Sequence, residues 1–115
     1  MDIKKGGIFP VIHGVRALAL QKKLDAVNTF ERIEQLVACK ALDKPFANDV
    51  SEALQFMLQL RLKAALEQLA AGSLADSRID VTKLHKLERD SLKDALLIVK
   101  QFKAVLTHHF RLAVF

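Results

Sequence analysis

The sequence predicts an all-α fold, an antiparallel up-down bundle of about four helices in one domain spanning residues 1–115, on three observations. Apolar residues recur at spacings of three and four along most of the chain, and no stretch shows strand-like alternation. The composition is 51% hydrophobic with no Trp, no Tyr and two Pro, which favours helices. Residues 46–71 read as one long helix that is greasy on more than half its circumference. There Val50, Ala53, Leu54, Met57, Leu58 and Leu60, continued by Leu62, Ala64, Ala65 and Leu69, fill a broad arc. Such an arc suits a helix touched by two or more neighbours. Arg61 falls near its middle, so the guanidinium must reach a partner, reach water, or meet an anionic ligand.

Residues 1–9 form an entry segment, in which Gly6-Gly7 break any helix and Pro10 fits the first turn of the next one. The first helix is expected over 10–23, with Val11, Ile12, Val15 and Leu18 on one face. His13 and Arg16 stand three apart and project from neighbouring positions on a second face. Gly14 within that helix costs about 1 kcal/mol relative to Ala, a cost that points to a close helix–helix approach. A short helix follows over 29–41, with Asn28 as N-cap and Glu31 placed for a capping box. Asp43-Lys44-Pro45 makes a turn before the long helix, which Gly72 ends as a C′ residue. Asp80 caps a first turn at 81–84. The last helix runs over 84–112, on the order of 40 Å, with a stripe from Leu84 through Ala95 and Phe102 to His109 and Leu112. Lys86, Arg89, Lys93, Lys100 and Arg111 occupy its opposite side.

A formal net charge of +5 and a pI near 9.6 suit anionic partners. The charge is spread rather than blocked, and there is no Trp or Tyr to stack on bases, so nucleic acid is not expected. The single Cys39 excludes an internal disulfide, fits a reducing cytoplasm, and reads as a small buried or half-buried hydrophobe. The apolar run 8–20 is interrupted by Pro10, His13, Gly14 and Arg16 and falls short of the roughly 20 residues a bilayer span needs. No cleavage site follows it, so neither a signal peptide nor membrane insertion is expected and the domain reads as soluble.

One constellation stands out. His13, Arg16 and Arg61 lie on otherwise apolar faces, where guanidinium and imidazole groups could hold a phosphate or carboxylate, or else pair with an acid such as Glu34 or Glu88. His108-His109 point about 100° apart and lack a third ligand, and His85 with Glu88 lacks further ligands, so no metal site is expected. Gly72-Ser73 followed by Asp76 and Asp80 imitates a nucleotidyltransferase active site. However, its acids sit four apart in a loop with no strand to present them. No catalytic residue is assigned.

The segments DIKKGGIFPVIHGVRALAL, LQFMLQLRL and IDVTKLHKLERDSLKDALLIVKQF, in that order, resemble the nucleotidyltransferase substrate-binding domain family over nearly the whole chain. The string from Gly6 to Arg16 (Gly-Gly-x-x-Pro-x-x-His-x-x-Arg) carries the resemblance most specifically, with Leu60-Arg61-Leu62 and Leu87-Glu88-Arg89 in support. The resemblance implies a domain at the C-terminus of bacterial signalling proteins, behind CBS, cyclic-nucleotide-binding-like and nucleotidyltransferase domains. It implies a non-catalytic module that binds or positions a substrate, through Lys5, His13, Arg16, Arg61 and Arg89. The partner would be a nucleotidyltransferase domain in cis or in trans, and the substrate an anion or a protein. Any nucleoside triphosphate and Mg would belong to the parent catalytic domain, with no cofactor in this chain. Ala65 and Ser77 depart from the family, which carries Gln and Asn there. The alternative is an interaction or homodimerisation module without a small-molecule site, favoured by apolar coverage that exceeds what four helices bury.

Overall fold

A computed structural model of the protein describes the backbone of residues 1–114 and the side chains of residues 1–111. Its helices are α1 (Phe9–Gln21), α2 (Thr29–Ala38), α3 (Lys44–Ala70) and α4 (Lys86–Val114). A π-helical turn, Lys4–Ile8, leads directly into α1, and a 3₁₀ turn, Val81–Lys83, precedes α4. Among the described residues there is no strand, and the only β-like contact is one bridge between Asp2 and Arg78. No helix of the described residues is long and apolar enough to cross a membrane.

The ends of the helices follow from local chemistry. Asn28 accepts from the Phe30 and Glu31 amides at 2.8 and 3.3 Å, as an N-cap should. Asp43 caps α3 through the Phe46 amide at 3.4 Å, so Lys44 and Pro45 open the helix rather than forming a turn ahead of it. At the start of α4, the Leu87 amide donates to His85 Nδ1, and Glu88 Oε1 accepts from the His85 amide. His85 and Glu88, three apart, thus form a capping box. At the far ends, α1, α2 and α3 each close in a Schellman motif. The amides of Leu24, Ala41 and Ser73 reach back to the carbonyls of Ala19, Leu36 and Gln68. The left-handed residues of these motifs are Lys23 (φ 57°), Lys40 (φ 62°) and Gly72 (φ 81°). Lys40 therefore ends α2 three residues before the position expected from periodicity, and Cys39, as its C-cap, is exposed instead of buried.

The long helices alternate in direction. Lys63 meets Glu88 at one end of the α3–α4 pair and Phe46 meets Phe102 at the other, so these two run antiparallel. Gly7 lies against Met57 and Leu96, and Gly14 against Phe102 and Leu106, which sets α1 alongside α4 in the same sense. The alternation thus passes through α1, α3 and α4, and the ten-residue α2 turns the corner between the first two. At Gly14 a Cβ would lie 2.7 Å from Cε2 of the fully buried Phe102, so the absent side chain is what lets the helices touch.

The core is wholly apolar among the described residues, centred on Val50, Leu54, Met57, Val99 and Phe102, and no buried side-chain nitrogen or oxygen lacks a partner. The entry segment belongs to this core. Ile3 is 0% exposed and Ile8 1%, and Gly6-Gly7 continue the helical path instead of breaking it. At Gly7 the site of a Cβ is taken by the Met57 sulfur, which a side chain would displace. Residues 1–3 are laced to the loop before α4: Ile3 N donates to Ser77 O at 3.0 Å, and Ile79 N donates to Met1 O at 2.7 Å. Leu112, expected in the stripe of α4, lies outside the residues whose side chains are described.

Candidate functional site

The five basic residues singled out in the sequence occupy two regions. His13 and Arg16 sit on the outer face of α1, opposite the buried Val11, Val15 and Leu18, and both are exposed. Phe9, one turn before His13, stacks on its imidazole with centroids 5.3 Å apart and planes 20° from parallel. Lys4 Nζ stands 5.8 Å from the centroid of the same Phe9 ring, within cation–π range. Lys5 is exposed on the π-helical turn. Arg61 is half-buried on α3, one turn beyond Met57, and Arg89 is exposed two turns before Leu96 on α4. Because Gly7 packs between Met57 and Leu96, Lys5, Arg61 and Arg89 share the end of the bundle where the chain begins. His13 and Arg16 lie further along α1.

Neither Arg16 nor Arg61 lies within 4 Å of an acidic group among the described residues. Among the described residues the ion pairs within 4 Å are Lys63–Glu88 at 3.1 Å and Lys83–Asp80 at 4.0 Å. Residues 3–24 hold Lys4, Lys5, Arg16, Lys22 and Lys23 and no Asp or Glu, so this segment itself is strongly cationic. That imbalance stands in the primary structure; the exposure of Lys5, His13 and Arg16 does not.

Sequence reasoning passed over a second feature. A cleft of about 350 Å³ opens between the C-terminal half of α3 and the loop before α4. Leu60, Ala64, Ile79 and Leu84 form its apolar floor; Lys63, Arg78, Lys83, Glu67, Asp80 and Glu88 line its rim. The two ion pairs neutralise most of that rim and leave Arg78 and Glu67 unpaired among the described residues. The loop over the cleft is held by carboxylates. Asp76 accepts from the Arg78 amide at 2.9 Å and from Gln68 Nε2 at 3.2 Å, and Asp80 accepts from the Thr82 hydroxyl at 2.6 Å and the Thr82 amide at 3.1 Å. Asp2 accepts from the Lys4 and Lys5 amides and from the Ser77 hydroxyl, joining the entry segment to the same loop.

Those bonds set a pH dependence. The Lys5 amide and the Ser77 hydroxyl lower the pKa of Asp2, the Arg78 amide and Gln68 lower that of Asp76, and the Thr82 hydroxyl and amide lower that of Asp80. Lys63 and then the His85 amide lower that of Glu88. A carboxylate with a depressed folded pKa adds stability above its unfolded value and loses it as pH falls through the folded value. The ordinary values are 3.8 for Asp and 4.5 for Glu, so the loop should hold unchanged from pH 7 to about 5 and loosen progressively below 4. Amide NMR spectra recorded from pH 6 to 3 should show residues 76–88 departing before the α3–α4 core. Uniform loss of all signals together would remove the assignment.

Among the described residues no group of three or more His, Cys, Asp or Glu converges on a point that could hold a metal ion. His109 instead bonds Gln21, tying the end of α4 to the end of α1.

An apolar helical core with exposed basic groups on α1 has the form of a helical binding module. The family model described as "Putative nucleotidyltransferase substrate binding domain" matches residues 1–110, and the chain belongs to that family. Its description names a substrate-binding domain, not a catalytic one, and links it to nucleotidyltransferases. No match to the chain was found among curated proteins or among solved structures.

Proposed function

We propose that this chain is a non-catalytic module that binds or positions an anionic substrate for a bacterial signalling nucleotidyltransferase domain, linked to it or docked beside it in the cytoplasm. The observation that carries this reading is the solvent face of α1, where His13 and Arg16 stand one turn apart and exposed, with Lys5 exposed on the preceding turn and no Asp or Glu among residues 3–24. Its mechanism is positional. The Phe9–His13 stack restrains the imidazole, Arg16 one turn on offers a planar fork of donors, and Lys5 adds long-range attraction. Together these groups would hold a phosphate or carboxylate in a fixed orientation, which lowers the entropic cost of reaction at a neighbouring centre. Arg89 extends the positive field at the chain-start end. The nucleoside triphosphate and Mg would reside on the catalytic domain, which supplies the metal and the reacting phosphate; the present chain would orient the acceptor.

Thermal-shift titration with ATP, UTP, phosphate and sulfate tests this. A ligand that binds only the folded state stabilises it by about 2.7 kcal/mol at one hundred times its Kd. The expected result is a saturable rise in melting temperature that Arg16→Ala removes while leaving the ligand-free melting temperature within about 2 °C, because Arg16 is exposed. No rise with any of the four at millimolar concentration would overturn the anion-binding face.

A further inference from the structure

The C-terminal half of α3 presents a bare apolar face. Leu62, Leu66 and Leu69 are 60, 58 and 57% exposed. With the half-buried Leu58 and Ala65, the series Leu58, Leu62, Ala65, Leu69 repeats at four-three-four spacing, the seam of a coiled coil. The first half of α3 has the same face covered. The groove against α2 is lined on α3 by Lys44, Ala47, Ser51 and Gln55, which fall within the same sector of about 100° as the leucines. With ten residues, α2 spans about 15 Å, whereas α3 with 27 spans about 40 Å, so the cover stops midway. What the second half lacks is a helix in line with α2.

We propose that a second copy of this chain supplies it, its α3 packed antiparallel on the first about a two-fold axis passing between Lys63 and Ala64. The seam is symmetric about that point. Leu58 then faces the partner's Leu69, and Leu62 faces the partner's Ala65, so large and small side chains interdigitate and no charge enters the seam. The same register brings the partner's Gly72 opposite Gln55, where the cover by α2 ends. It also settles Arg61, which flanks the seam. Arg61 faces the partner's Gln68, and in each copy Gln68 is bound to Asp76 twice, its Nε2 donating to the Asp76 carboxylate at 3.2 Å and its Oε1 accepting from the Asp76 amide at 2.9 Å. Each Arg61 thereby gains an acid from the other copy, and the two-fold axis supplies that charge pairing twice.

Sedimentation equilibrium of this chain from micromolar to millimolar concentration tests the proposal, with Leu62→Glu as the variant. The expected result is a concentration-dependent dimer whose dissociation constant rises at least about tenfold in Leu62→Glu, the scale of losing a central anchor. Because Leu62 is exposed in the single chain, that variant keeps its helical circular dichroism. The register has its own readout. In a Cys39→Ser background, Leu62→Cys and Ala65→Cys chains mixed under mild oxidation by diamide should cross-link faster than either alone. A chain monomeric throughout, a dimer indifferent to Leu62→Glu, or cross-linking confined to the unmixed chains would each overturn the proposal. The face uses neither Lys5, His13 nor Arg16, so Leu62→Glu should retain any anion-induced thermal shift, and the two readings can fail separately.

Discussion

Phe102→Ala should lower the free energy of unfolding by about 3–5 kcal/mol, the range for truncating a fully buried aromatic side chain. Phe102 is 0% exposed, tilts against Phe46 with ring centroids 6.5 Å apart, and closes over Gly14, where α1 and α4 meet. Truncation removes the transfer energy of the ring and leaves a void at the junction of three helices. Neighbours cannot collapse into it without separating the α1–α4 contact. For a domain of this size the loss corresponds to a fall in melting temperature on the order of 15 °C. Urea and thermal unfolding followed by circular dichroism would measure it. A loss near 1 kcal/mol would mean that the three-helix junction repacks freely, and the close approach at Gly14 would not be a constraint on the fold.

Ile3→Ala should cost about 2–4 kcal/mol, although the residue is third in the chain, where truncation is ordinarily tolerated. Its side chain is fully buried, and its amide donates to Ser77 O at 3.0 Å. Loss of the side chain removes the apolar anchor of residues 1–3 and leaves only their hydrogen bonds to the loop, so the effect should have a local component. Hydrogen exchange should rise first in residues 1–8 and in the loop 73–85, which shares the Asp2–Ser77 bond, and only later in α3 and α4. A global loss without local loosening would show the entry segment and loop to be one cooperative unit with the bundle. A loss below 0.5 kcal/mol would sink the claim that this segment is core.

Much of the fold was legible because it rests on local rules. The period of apolar residues located α3 and α4, and Asn28, Gly72 and Asp80 behaved as their side-chain chemistry requires. The close approach inferred at Gly14 is present for the steric reason that suggested it. The misread boundaries share a cause. Lys40 takes a left-handed conformation that nothing in a lysine announces, so α2 ends early and Cys39 is left in solvent. Gly6-Gly7 read as helix breakers, because the cost of glycine in a helix is local while its compensation, the room it makes for Met57, is not. His85 and Glu88, considered only as metal ligands, are a capping box.

The basic residues divide along the same line. Their identity and their resemblance to a family pattern were visible in the chain; their neighbours were not. Periodicity put Arg61 in the middle of an apolar arc, but could not show that α2 is too short to cover that arc to its end. It placed His13 and Arg16 side by side on α1, but not on the solvent side with His13 stacked on Phe9.

The sequence by itself determined the helical class, the helix order, most caps, the family and the residue types able to meet an anion, because each depends on side chains within one or two turns of one another. Tertiary structure alone decided the direction of α1 relative to α4, the burial of Ile3, the loop held over the cleft and the uncovered half of α3. Those outcomes depend on which surfaces meet across long sequence separations, where helix length and the space left at a glycine set the geometry.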